Sequence, residues 1–80
     1  MKRNSIGLVE LSSIAAGYMV TDAMLKAAGT ELLLSRSICS GKYMTMVRGE
    51  VAEVTASVEA GREWGRGFIV DTFIIPNLHD

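Results

Sequence analysis

Cys39 is the only cysteine in the chain, and it falls in the stretch RSICSGKYM, residues 36–44, between two segments that alternate like strands. A thiol can act as a nucleophile, close a disulfide or bind a soft metal. Nucleophilic catalysis needs a base within reach, and the nearest candidate, Lys42, reads more simply as a surface lysine. His79, the only histidine, lies beside the chain end and reads as a solvated tail residue. One cysteine cannot close an internal disulfide. A zinc or iron–sulfur site wants about four soft ligands, so a single thiol suffices only where rotational symmetry gathers copies of it. No Gly-rich phosphate loop is present, and the strand aromatics Tyr43 and Phe73 do not match the sheet motif of RNA-binding domains.

The elements that must position Cys39 belong to one small domain, residues 1–80. A chain of this size buries only ~60% of its unfolded surface, so association with neighbours is expected to complete its stability. The composition agrees: 49% of residues are apolar but only 6% aromatic, which describes a core of small side chains. A net charge of −1 gives no long-range field for phosphates or anionic lipid, so neither nucleic acid nor a membrane surface is an expected partner. The opening MKRNSIGLVELSSIAAGYMV has the look of a secretory signal, but Glu10 interrupts its apolar run and no Ala-x-Ala site follows. It reads as mature structure, and no apolar run reaches the ~18 residues of a membrane span. A cytoplasmic location is the default expectation.

Hydrophobic spacing divides the chain into six elements. SIGLVEL, residues 5–11, alternates as a strand, with Ile6 and Leu8 on one face and Val9 and Leu11 on the other. Ser12 and Ser13 offer a helix N-cap. In the helix that follows, Ala16, Val20, Ala23, Met24 and Ala27 share an arc, extended by Ile14 and Leu25, while Tyr18, Met19, Asp22 and Lys26 lie opposite. Gly29 suits its C-terminal cap. Residues 30–38 and 42–49 read as two strands joined by a tight hairpin at CSG. In the second helix Val51, Val54, Val58, Gly61 and Gly65 share a face, the glycines allowing close approach to a sheet, and Glu50 and Glu53 suit its positive N-terminal end. Residues 68–76 form a last strand closed by Pro76. The order predicts an α+β, ferredoxin-like βαββαβ fold, an antiparallel-rich sheet with both helices on one face.

The segments DAMLKAA (22–28), SGKY (40–43) and VRGEVAEV (47–54), at these separations, resemble the domain of bacterial microcompartment (BMC) shell proteins. The resemblance covers essentially all of residues 5–77. It implies a structural protein rather than an enzyme, one that forms flat cyclic hexamers, or trimers of tandem domains, tiling the shell of a metabolic organelle in the cytoplasm. The implied partners are further copies of the chain, other shell proteins and small metabolites passing a central pore. It places Cys39, Ser40, Gly41 and Lys42 at that pore, and Lys26 at the tile edge with Asp22 beside it. An ordinary i,i+4 surface pair is the alternative reading of Asp22 and Lys26.

Two departures from the family pattern bear on function. A Pro-Arg-Pro-His-like segment is replaced here by Pro76, Asn77, Leu78 and His79, which removes an arginine used for lattice contact. The loop ICSGKY resembles the ICPGK loop of a subgroup that holds an iron–sulfur cluster in its pore, with Ser40 in place of the proline. That implies a cluster of the four-iron, four-sulfur kind, bound at the oligomer axis through Cys39 for electron or cluster transfer across the shell. A metal-free pore for metabolites, and one half of a tandem-domain trimeric protein, are the alternatives the same residues leave open.

Overall fold

A computed structural model describes residues 4–76 of the chain. The expectations for Asn77, Leu78 and His79 lie outside the described residues. The element order is β1 (Ser5–Leu11), α1 (Ile14–Ala27), β2 (Glu31–Cys39), β3 (Lys42–Gly49), α2 (Val51–Trp64) and β4 (Ile69–Ile75). The strands form a four-stranded sheet in the order β2-β3-β1-β4, with every neighbouring pair antiparallel. This is the expected α+β, βαββαβ architecture.

Alternation decides which side chains meet the helices. In β1, Ser5, Gly7, Val9 and Leu11 are buried, and in β3 so are Tyr43, Thr45, Val47 and Gly49. These positions face α1 and α2, whose Val20, Met24, Val54 and Val58 complete the core with Val9, Leu11, Tyr43 and Val47. Burying each such aliphatic side chain contributes roughly 1.5–3 kcal/mol before the entropy of ordering it is subtracted. Small residues set the layer spacing. A Cβ at Gly17 would fall inside the ring of Tyr43, and one at Gly61 would sit 3.1 Å from both Met24 Sδ and Val9 Cγ2. The expected close approach of α2 to the sheet holds at Gly61, and α1 adds a second such contact at Gly17 that periodicity did not indicate.

Helix ends follow the sequence at one terminus better than at the other. Ser13 caps α1, its hydroxyl accepting the Ala16 N–H at 3.1 Å, and Glu50 with Glu53 forms a capping box on α2, where Glu53 accepts the Glu50 N–H at 2.9 Å. Gly29 stands just past the end of α1 as expected, but it does not close the helix in the left-handed way. The helix ends at Ala27, and Ala28 is extended. A tertiary contact takes over the work of such a cap, because the Ser57 hydroxyl of α2 donates to the Met24 carbonyl at 2.9 Å. Ile14 and Ala27 of the expected α1 arc, and Val51 of the α2 face, are exposed, since each lies at a helix end beyond the reach of the sheet.

Candidate functional site

The β2–β3 hairpin is tighter than CSG suggests. Cys39 closes β2 opposite Lys42, leaving only Ser40 and Gly41 as the turn. Gly41 has φ +76°, a conformation that two-residue hairpin loops require and that side chains with a Cβ resist. Cys39, Ser40 and Gly41 are all exposed, and Lys42 is half-buried. A register shift between Ser37 and Cys39 makes the strand irregular just before the tip. The structure therefore brings the four expected hairpin residues together on one small exposed tip.

Lys42 is not an isolated cation there. Its Nζ lies 3.9 Å from Glu10 Oε2, reaching from β3 to β1 on the side of the sheet away from the helices. Sequence spacing gave no sign of this pair, because Glu10 and Lys42 are far apart in the chain and meet only through the antiparallel register that sets Glu10 opposite Met44. Glu10 also pairs in register with Asp71 of β4, which lies on the side of β1 away from Lys42.

The expected edge residues form a separate group. Lys26 Nζ and Asp22 Oδ2 lie 2.9 Å apart on the outer face of α1, with both side chains largely exposed. Such an i,i+4 pair contributes only a few tenths of a kcal/mol to the fold. The pair is set in the second half of α1, which runs away from the hairpin end of the sheet, so edge and tip do not converge on one site.

Two apolar surfaces were missed by sequence reasoning. On the helix-free face, cross-strand register lines up Met46, Leu8 and Phe73, and beside them Ile6 and Ile75. Phe73 is 53% and Ile75 48% exposed. The signal was present in the alternation of the outer positions, which are apolar where a solvated sheet face is normally polar. The second surface is at the hairpin end of the molecule, where Trp64 and Phe68 are exposed on either side of the turn from α2 to β4. That turn is tied to the start of α1 by the Ser12 N–H donating to the Phe68 carbonyl at 2.8 Å.

A metal site within one chain does not assemble. Among the described residues no group of three or more His, Cys, Asp and Glu side chains could hold an ion. The Cys39 thiol is exposed and free of disulfide, so its chemistry fits that of a single soft ligand contributed by each of several chains.

The class of protein is set by an α+β βαββαβ fold with an exposed hairpin tip and an apolar helix-free sheet face. The BMC domain family pattern matches residues 5–78, and the chain belongs to this family. It is 41% identical to the bacterial microcompartment shell protein PduT of Citrobacter freundii over 94% of this chain and 41% of that one. It is 33% identical to the shell protein PduA of Salmonella typhimurium, over 99% of this chain and 86% of that one, and 36% identical to the carboxysome shell protein CcmK2 of Thermosynechococcus vestitus, over 95% and 78%. A crystal structure of a microcompartments protein from Desulfitobacterium hafniense superposes with a TM-score of 0.94 at 47% identity, over 98% of this chain and 43% of that one. The chain thus spans under half the length of PduT and of the Desulfitobacterium protein, and most of the length of PduA and CcmK2. PduT, PduA and CcmK2 are shell proteins and not enzymes, in agreement with the structural role expected of this chain.

Proposed function

We propose that the chain is a structural subunit of a bacterial microcompartment shell, closing with further copies into a cyclic hexamer whose axis is lined by Cys39, Ser40, Gly41 and Lys42. The observation that carries this reading is the uncovered apolar face of the sheet, which a second subunit would shield. Lys26, with Asp22, lies on the outer edge in this arrangement and meets neighbouring tiles of the same or other shell proteins. The corresponding location is the microcompartment shell, within the cytoplasm.

The pore hairpin is the place for the finer function. Rotation about the axis would gather six Cys39 sulfurs, of which a four-iron, four-sulfur cluster would use about four, by partial or asymmetric ligation. When bound, such a cluster supplies one-electron transfer across the shell. The chain's own part is to present the thiol on a short, glycine-turned hairpin, with Lys42 and Glu10 setting the charge beside it. Protein purified without oxygen should be brown, with broad visible absorption and about one cluster per ring, and Cys39→Ser should lose the colour while keeping the ring. A colourless parent protein with less than about one iron per ring would leave a metal-free pore for small metabolites as the function. A second arrangement is favoured by the lengths of PduT and the Desulfitobacterium protein, each more than twice the matched region. In it, this domain corresponds to one half of a double-length subunit, and three such subunits complete the ring.

A further inference from the structure

The hairpin tip is exposed, yet its aim is set from behind. Hydroxyl groups from α1, β2 and β3 form one continuous chain: Tyr43 to Ser35 at 2.5 Å, Ser35 to Thr21 at 3.2 Å and Thr21 to Thr45 at 2.7 Å. Tyr43 and Thr45 are buried, and Tyr43 is wedged against Gly17 and the tilted ring of Tyr18. Linked hydroxyls polarise one another, and in a half-buried setting each bond is protected from competition by water.

Beyond its ladder to β3 and the Arg48–Glu31 ion pair at its start, the strand that this chain grips has few side-chain contacts to align it. β2 is an edge strand whose side chains are exposed except at Leu34 and Ser35. Its pairing with β3 is irregular twice, between Leu32 and Leu34 and between Ser37 and Cys39. Ser35 lies between the two irregularities. A strand in this condition has a weakly specified register, and a slip of one residue would turn Ser35 to the opposite face and re-aim the residues after it. Apolar packing does not prevent the slip, because the exposed Leu32, Leu33 and Ile38 make few demands on alignment.

We propose that Thr21 is a positioning residue: its hydroxyl, joined to Ser35 and Thr45, pins β2 to α1 and β3 between the two irregularities and so fixes the direction in which Cys39 is presented. The pin acts on the tip whether Cys39 holds a cluster or lines a metal-free pore. It also explains why a helix on the outside of the sheet carries a threonine at the margin of its buried face. Val at this position would fill the same space and could not join the chain.

Amide hydrogen exchange on the full-length protein tests the pin. Thr21→Val should speed exchange of residues 36–42 by about tenfold or more, while exchange of α2 stays at the parental rate. Thr21→Ser, which keeps the hydroxyl, should restore parental exchange in the hairpin. Should Thr21→Val fail to fold, Ser35→Ala removes the link between β2 and Thr21 from the strand side and is judged by the same pattern. Unchanged hairpin exchange, an equal acceleration in α2, or a Thr21→Ser protein that behaves like Thr21→Val would each overturn the proposal.

Discussion

On the helix-covered side of the sheet Val9, Leu11 and Val47 have no exposed surface, whereas on the other side Phe73 and Ile75 remain about half exposed, with Leu8 and Met46 in the same row half-buried. Both sets are apolar, and β1 and β3 contribute to both. The first face is finished within the chain: glycines at 17 and 61 let the helices down onto it, and its polar members find partners, as Thr45 does with Thr21. Among the described residues no element lies over the second face. In the proposed shell assembly another subunit would cover it. The difference separates what folds the domain from what assembles it.

Substitutions on the two faces should therefore fail in different ways. Leu11→Ala, on the finished face, should have the largest effect, destabilising the fold by about 3 kcal/mol because a fully buried side chain leaves a cavity. Urea unfolding followed by circular dichroism measures this. Phe73→Ser, on the open face, should leave the secondary structure intact while weakening subunit association by at least about tenfold per interface, as loss of a buried aromatic anchor does. Sedimentation of a dilution series checks it, and unfolding without dissociation would erase the distinction between the faces. Lys26→Asp should cost the fold only a few tenths of a kcal/mol and leave the ring whole, yet stop rings from tiling, because opposed edges would then bring carboxylates together. Electron microscopy reads that outcome directly. Smallest is Glu10→Gln, which removes the carboxylate beside Lys42 and should raise the preference of reconstituted shells for an anion over a cation of similar size by a factor of about two.

The element order and the finished face were legible because they rest on local periodicity. Val9 and Leu11 fall on one side of β1, and Ser13 and Glu53 announce helix starts by residue type alone. The hairpin was legible to within a residue, Cys39 belonging to β2 and not to the turn. What was not legible depends on register. Glu10 meets Lys42, and Thr21 meets Ser35 and Thr45, only after strands far apart in the chain are aligned. The closure of α1 was misread for a related reason. A left-handed glycine at 29 is the usual local stop, but the Ser57 hydroxyl of the other helix donates to the Met24 carbonyl instead. The hydroxyl residues Ser35 and Thr45, which register sets opposite each other on β2 and β3, are the members of these strands that meet Thr21.

The central claim is that the open sheet face is an interface between copies of this chain. Native mass spectrometry of the full chain across a range of protein concentrations tests it most directly. A closed hexamer, persisting on dilution and lost in Phe73→Ser, is the predicted result. A folded monomer at every concentration would contradict the account.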